Sequence, residues 1–165
     1  MPACGARARR ASWPPTCDNA LACARALGAD ETLNLARDPE ALAPYARDKG
    51  QFDLMFEASG SDRALRAGLE VVAPRGVIVS VGMGGDASLP MTALVAKELE
   101  LRGTFRFHPE FAVAVRFINE GLVDLRPVIS HIVGVGDAVS AFQLAADKTQ
   151  AMKVQLDFGV EPAGL

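Results

Sequence analysis

Two successive strands of this sequence are predicted to end in short glycine-rich turns that could bind a ligand. The first turn is residues 57–60 (EASG) and the second is residues 81–85 (VGMGG). In open α/β sheets ligands bind beyond the carboxyl ends of the strands. Glycine lets a ligand approach the N–H and C=O groups of such a turn closely. Most glycine turns after strands are only turns, so each motif alone also fits a purely structural role.

Four ionisable side chains near strand ends could add chemistry to such a crevice. Arg106, at the end of a predicted strand, offers forked donors to a hydroxylated or anionic substrate, or is a solvated charge. Glu57 could act as a base or bind a ribose, or could be hydrogen-bonded to the backbone at the strand end. His108 and His131 have no acid or cysteine near them in the sequence. We therefore expect both histidines to be structural or exposed.

The remaining composition argues against several classes of protein. Cys4, Cys17 and Cys23 are odd in number and widely spaced, which fits neither a disulfide framework nor a zinc site. We expect free thiols in a reducing cytoplasm, and no metal site. The net charge of -3 gives no reason to expect nucleic acid or an anionic membrane as partner. No apolar run approaches the ~18 residues of a membrane span.

Helical and extended patterns alternate along the chain, which predicts an α/β fold with a parallel sheet. The β-branched run at residues 77–81 predicts a strand covered on both faces. Predicted strands lie at residues 31–35, 52–57, 77–81, 99–107, 129–135 and 153–158. Predicted helices run from Asp18 to Gly28, from Ser61 to Pro74, from Pro109 to Gly121 and from Asp137 to Ala146, with a further helical stretch opening at Asp38.

Residues 1–17 stand apart from this pattern. They contain three arginines, no acid and the pair Pro14-Pro15, which cannot lie inside a central strand or helix. We expect this segment to be disordered or foreign to the fold, with an organelle transit peptide as the alternative. No G-x-G-x-x-G turn, the usual start of a dinucleotide-binding sheet, occurs upstream of the predicted sheet.

Five motifs together resemble one enzyme family. They are ARALGADETLNL (24–35), FDLMFEASG (52–60), GVIVSVGMGG (76–85), ELELRGTFRF (98–107) and DKTQAMKVQLDF (147–158). The chain resembles, over residues 19–158, the zinc-dependent medium-chain dehydrogenases, and within them the polyol branch. The resemblance implies an oxidoreductase that uses NAD or NADP on a polyol or sugar acid. Zinc would polarise the reacting C–OH group.

The resemblance also implies a domain organisation. Residues 18–124 correspond to a partial Rossmann domain that lacks its first strand and glycine-rich turn. Residues 125–165 correspond to the segment that returns to a GroES-like catalytic lobe, which carries the zinc ligands and is missing here. The abrupt start of the match at Asp18 predicts a frameshift or misplaced start. Because no residue here corresponds to the zinc ligands, we expect the chain alone to be inactive. A homo-oligomer is expected of the intact enzyme.

Functional positions follow from the resemblance residue by residue. Arg106 corresponds to a residue that orients the substrate. The acid that binds the adenosine ribose would fall near Pro15 and an arginine often found nearby would fall at Ala20, so the choice between NAD and NADP stays open. The alternative is a non-catalytic remnant that only dimerises or binds a nucleotide. Cofactor contacts are expected at Ser59, Gly60, Val81, Gly82, Met83, Thr104, Phe105 and Arg106.

Overall fold

The computed structural model describes residues 11–12 and 18–159. Its helices and strands are, in chain order, β1 (Ala11–Ser12), α1 (Asp18–Ala26), β2 (Glu31–Thr32), β3 (Phe52–Glu57), α2 (Asp62–Val71), β4 (Val72–Ser80), α3 (Met91–Ala96), β5 (Glu100–Gly103), α4 (Glu110–Asn119), β6 (Ile129–Gly134), α5 (Ala138–Ala146) and β7 (Lys153–Asp157). All described strand pairs are parallel, so the predicted α/β class is confirmed.

The chain divides into two compact units. One, here called the middle unit, is Arg37–Pro109, and the other, the terminal unit, combines Met1–Ala36 with Glu110–Leu165. The middle unit holds both glycine turns and Arg106, so it contains the whole predicted site.

The middle unit is built on a three-stranded sheet in the order β3-β4-β5. The register pairs Leu54 with Val77 and continues to Glu57 with Ser80. Because both strands run in the same direction, their carboxyl ends lie side by side and the turns that follow them meet. The core of this unit contains Met55, Leu65, Leu69, Val71, Val72, Ile78 and Leu99.

One face of this sheet is more open than the sequence predicts. Met55 and Ile78 are buried, but Leu54 and Phe56 are 50% and 65% exposed. Successive side chains of a strand point to opposite faces, and α2 covers only one of them, contacting both β3 and β4. The sequence predicted cover on both faces for residues 77–81, and that cover is incomplete, because Ile78 is buried but Val77 and Val79 are half-buried and Val81 is 44% exposed.

The connection from α2 to β4 also differs from the predicted one. The helix ends at Val71 and the strand starts directly at Val72, whereas the sequence placed the boundary at Pro74. The pairing shifts between Phe52 and Leu54, and Arg75 has φ of 64°. The segment around Pro74 is therefore a bulge within a longer strand, where proline and positive φ are both tolerated.

The helical stretch expected from Asp38 is not an α-helix. Turns lead into a 3₁₀ segment, Ala43–Lys49, with Pro44 in its first turn and a kink at Arg47 and Asp48. Tyr45 in this segment is buried and stacks on Phe52, with ring centroids 5.0 Å apart. The stacking of Tyr45 on Phe52 packs this segment against β3, and no apolar face of an α-helix is involved.

The terminal unit contains two small parallel sheets, β1-β2 and β6-β7, with α1, α4 and α5. β1 lies in residues 1–17, which we expected to be disordered or foreign to the fold; residues 1–10 and 13–17 lie outside the described part. The predicted helix ends at Gly28 and Gly121 are confirmed, with φ of 93° and 68°. Asp137 lies at the N-cap of α5 but makes no side-chain capping bond.

Candidate functional site

The two glycine turns are joined through the main chain of Glu57, the last residue of β3. Its carbonyl oxygen accepts hydrogen bonds from the N–H groups of Val81 and Gly82, at 2.7 and 2.9 Å. These residues follow directly after β4. The end of one strand therefore fixes the start of the turn on the next.

The side chain of Glu57 holds the other turn. Its carboxylate accepts hydrogen bonds from the Ser59 N–H at 2.8 Å, from the Ser59 hydroxyl, and from the Gly60 N–H at 3.0 and 3.1 Å to the two oxygens. Glu57 is only 4% exposed. The expectation that this acid is hydrogen-bonded to the backbone at the strand end is confirmed.

Opposing effects act on the pKa of Glu57. Burial favours the neutral acid and raises the pKa, but the hydrogen bonds from Ser59, Gly60 and Ser61 favour the carboxylate. The hydrogen bonds prevail, and the pKa of Glu57 is lowered from its usual 4.5. The group is therefore an anion at neutral pH, and its buried charge is balanced by N–H and O–H dipoles.

The two turns touch each other backbone to backbone. A Cβ added to Gly82 would lie 2.0 Å from the Gly60 nitrogen, and one on Gly84 would lie 2.0 Å from the Gly60 oxygen. Gly60 itself has φ of 69°, a region that side chains disfavour. The glycines are thus required by close approach, which the motifs of residues 57–60 and 81–85 could not show individually.

A pocket of about 340 Å³ opens beside these turns. It is lined by Val81 and Met83 from the turn after β4, and by Thr104, Phe105 and Arg106 from the segment after β5. The Thr104 N–H donates to the Ser80 carbonyl at 3.1 Å, which holds the two walls together. The pocket lies at the carboxyl ends of parallel strands, where open α/β sheets bind ligands.

Arg106 projects from a strained backbone position at the rim. Its φ is 59°, and its guanidinium carbon lies 4.8 Å from the centre of the Phe105 ring. Stacking on an aromatic face orients a guanidinium while leaving the N–H groups, which lie in the guanidinium plane, available to a ligand. Arg106 forms no ion pair within residues 18–159.

The structure brings the predicted site residues into one region but gives them different surroundings. Five of them line the pocket, whereas Ser59, Gly60 and Gly82 form the contact between the turns beside it. The Ser59 hydroxyl donates to Glu57 and accepts from the Ser61 N–H. These bonds use the hydroxyl proton and one of its lone pairs, so the Ser59 side chain could contact a ligand only as an acceptor.

Other chemically capable residues lie elsewhere. His108 is exposed, and His131 in β6 has its Nδ1 3.1 Å from the Ser130 hydroxyl. Cys23 is a free thiol that donates to the Pro127 carbonyl, while Cys4 and Cys17 lie outside the described residues. Within the described part of the chain, no group of three or more His, Cys, Asp or Glu side chains could hold a metal ion. The described residues therefore provide no set of ligands that fits a zinc ion.

No helix among the described residues is long and apolar enough to cross a membrane.

Curated proteins are similar to this chain in sequence. L-idonate 5-dehydrogenase (NAD(P)(+)) of Escherichia coli K12 is 42% identical over 139 residues, which is 84% of this chain and 40% of that protein. D-xylulose reductase of Saccharomyces cerevisiae is 32% identical over 133 residues, 76% of this chain and 37% of its own. The chain thus spans about two-fifths of the length of the curated relatives it matches.

Solved structures share the fold. The crystal structure of the E. coli K-12 L-idonate 5-dehydrogenase matches 92% of this chain and 43% of its own, with a TM-score of 0.84 and 39% identity. A short chain alcohol dehydrogenase of E. coli CFT073, solved with NADH, matches 91% of this chain and 44% of its own with a TM-score of 0.78 at 22% identity. The predicted partial Rossmann-type sheet is confirmed by these matches.

The profile of one family covers most of the chain. The zinc-binding dehydrogenase profile matches residues 16–120, which include the sheet of the middle unit, both glycine turns and Arg106. Together with the relatives above, this match confirms the resemblance drawn from the sequence motifs. The chain belongs to the zinc-binding dehydrogenase family, the zinc-dependent medium-chain dehydrogenases, and within it to the polyol branch.

Proposed function

We propose that this chain provides the nicotinamide-binding side of an NAD(P)-dependent dehydrogenase acting on a polyol or sugar acid, such as L-idonate. The observation that carries the proposal is the pocket between the turn after β4 and the segment after β5. The dehydrogenase of E. coli that is 42% identical is named for L-idonate and NAD(P), which supports this substrate class.

The hydrogen bonds already made by the turns favour binding of the nicotinamide riboside over binding of the pyrophosphate. Glu57 occupies the N–H groups of Ser59, Gly60, Val81 and Gly82. Anionic phosphates need such N–H groups, so the pocket is poorly suited to the pyrophosphate. Backbone carbonyl oxygens and the apolar Val81 and Met83 suit a neutral ring that carries N–H and O–H donors, as a nicotinamide riboside does.

Arg106 is the residue we propose to orient the substrate. Its guanidinium is held over Phe105 at the rim of the pocket, where the reacting carbon would lie next to the nicotinamide. A fixed fork of donors can bind two hydroxyl oxygens, or one carboxylate, of a sugar acid. Orientation of this kind contributes to rate by holding the reacting atoms in line.

Binding of NADH to the 165-residue chain tests the proposal. We expect enhanced nicotinamide fluorescence on titration with NADH, and its loss in Val81→Trp, which fills the pocket. Leu54→Trp is the matched control, because Leu54 is 50% exposed and Val81 is 44% exposed, but Leu54 does not line the pocket. Equal binding by both variants would refute the assignment of this pocket to the nicotinamide.

A second titration tests the substrate role of Arg106. With NADH bound, we expect L-idonate to bind more weakly to Arg106→Gln than to the wild type, by about tenfold or more for a lost charge-assisted hydrogen bond. Arg75→Gln is the control. Arg75 lies in the bulge of β4 and also has a positive φ, but its side chain pairs with Glu98. Unchanged affinity in Arg106→Gln would contradict the role.

We further propose that this chain alone does not turn over substrate. The family's chemistry uses a zinc ion, and the described residues supply no group that fits one. Detectable zinc-dependent oxidation of L-idonate by the purified chain would refute this part of the proposal.

A second candidate is a module that dimerises without catalysis. In the described part of the chain β5 pairs with β4 alone, and Leu101 on β5 is 42% exposed. An unpaired edge strand of this kind can pair with another copy. Sedimentation velocity should show dimers that Leu101→Glu converts to monomers, and a wild-type monomer at all concentrations would exclude this candidate.

A further inference from the structure

A single residue holds both turns of the candidate site. The Glu57 carboxylate takes the N–H groups of Ser59 and Gly60, while its carbonyl takes those of Val81 and Gly82. Glu57 does not itself line the pocket. Its hydrogen bonds therefore reach the pocket through the turns that it holds.

The hydrogen bonds favour the ionised side chain. The Gly60 N–H points at both carboxylate oxygens, at 3.0 and 3.1 Å, and the Ser59 hydroxyl donates to one of them. A carboxylate can accept all of these bonds because it carries no proton. A glutamine amide oxygen at the Oε1 position could keep the bonds made there, but its NH₂ group would replace Oε2 and face the Gly60 N–H, donor against donor. The substitution also removes the negative charge that strengthens every one of these bonds.

The contact between the turns transmits the effect to the pocket. A Cβ on Gly60 would lie 2.8 Å from the main chain of both Met83 and Gly84, so Gly60 is packed directly on the turn that carries Met83. Met83 lines the pocket. Any displacement of Gly60 therefore moves a pocket wall or opens a gap against it.

We propose that Glu57 is a positioning residue, whose carboxylate fixes the first turn so that the second turn shapes the nicotinamide pocket. This inference rests on the proposed function, because it assumes that the pocket binds a nicotinamide. The groups facing the carboxylate are the Ser59 hydroxyl and the N–H groups of Ser59, Gly60 and Ser61. No charged side chain of the described residues is among them.

Amide hydrogen exchange of Glu57→Gln, followed by NMR in the ligand-free chain, tests the coupling without any cofactor. We expect exchange to accelerate on the order of tenfold at Ser59 and Gly60, and also at Gly82, whose own acceptor is unchanged by the substitution. The β4 amide of Ile78 should be unaffected. Acceleration confined to Ser59 and Gly60, or absent, would overturn the coupling between the turns.

NADH titration of the same variant tests the positioning role. We expect affinity to fall on the order of tenfold in Glu57→Gln and to stay constant in Asp53→Asn, which removes an exposed acid from the same strand. Wild-type affinity in Glu57→Gln would overturn the proposal even if exchange accelerates. Absence of NADH binding by the wild type would instead count against the proposed function, and the exchange experiment would then decide on Glu57.

A milder variant covers the case in which Glu57→Gln does not fold. Ser59→Ala removes only the hydroxyl, which donates to the carboxylate and accepts from the Ser61 N–H, and it leaves the N–H donors of Ser59 and Gly60 in place. We expect a smaller acceleration of exchange at Gly60 and Gly82, of a few fold. Unchanged exchange at both amides would overturn the proposal.

Discussion

Substitution of Gly82 by alanine should disrupt the site by forcing its two turns apart. The added Cβ would lie 2.0 Å from the Gly60 nitrogen, and 2.8 Å from the Gly60 Cα and the Ser59 carbonyl carbon. All three atoms belong to the main chain, so no side-chain rotation can relieve the overlap. The turns must separate by about 1.4 Å to lengthen the distance from the added Cβ to the Gly60 nitrogen from 2.0 Å to the 3.4 Å of an ordinary contact.

Two terms set the magnitude of this change. Overpacking of a well-packed site costs about 1–3 kcal/mol. Separation of the turns also lengthens the 2.9 Å bond from the Gly82 N–H to the Glu57 carbonyl, and a typical hydrogen bond is worth about 1 kcal/mol. We therefore expect the free energy of unfolding to fall by about 2–4 kcal/mol, and NADH affinity to fall at least about tenfold because the pocket wall moves.

Gly85 provides the matched control, because it lies in the same turn. Nothing lies within 4 Å of a Cβ placed on it, so Gly85→Ala should change stability by less than about 0.5 kcal/mol. Urea unfolding followed by circular dichroism gives both free energies, and NADH titration gives both affinities. Similar destabilisation by the two substitutions, or none by Gly82→Ala, would refute the close approach of the turns.

Three other predictions concern charged groups. Lys97→Met should lower the free energy of unfolding in urea by about 2–3 kcal/mol, because the Lys97 ammonium donates to three carbonyls at the end of α2, whereas exposed Lys148→Met should have little effect; equal effects would contradict this. The pKa of Glu57 is lowered, so between the folded pKa and 4.5 the unfolded chain binds more protons than the folded chain does. The contribution of the carboxylate to the free energy of unfolding is therefore complete above pH 4.5 and is lost as pH falls through the folded pKa. The gap in urea midpoint between wild type and Glu57→Gln should therefore narrow below pH 4.5, and a constant gap would argue against it. NMR titration should find a pKa of about 2 for Asp124, because the Arg126 side chain hydrogen-bonds to it, and Arg126→Gln should raise that pKa toward 3.8.

Elements with strong local signals were predictable from the sequence. Ser61 precedes α2 and its hydroxyl accepts from the Ala64 N–H, as its residue type at a helix start indicates. Gly121 ends the last turn after α4 with positive φ, which few other residues adopt readily. These signals depend on a few neighbouring residues, so the structure of the rest of the chain does not alter them.

Elements set by tertiary contacts were not predictable in this way. The six-residue helix α3 has no side-chain cap and no buried residue, so its sequence carries neither an end signal nor an apolar face. The bulge around Pro74 depends on pairing with β3, and Gly76 there is packed against the Val72 side chain and two main-chain oxygens. Sequence periodicity describes one element at a time and does not report on such pairing.

The candidate site was predictable as a set of positions but not as an arrangement. Sequence motifs and the family resemblance selected the five residues that line the pocket. The role of Glu57 remained one alternative among three, because an acid at a strand end has no pattern that distinguishes a base from a turn acceptor. Only the distances to Ser59 and Gly60 separate these alternatives.

The backbone contact between the turns restricts how this site can diversify. At Gly82 and Gly84 any side chain would meet the main chain of Gly60, and a smaller partner residue cannot compensate because glycine is already the smallest. Neither a single substitution of Gly82 or Gly84 nor a paired substitution with Gly60 is therefore tolerated without separating the turns. Adaptation to a new substrate would have to proceed through the side chains that project into the pocket, such as Met83, Thr104 and Arg106, while the glycine framework beneath them stays constant.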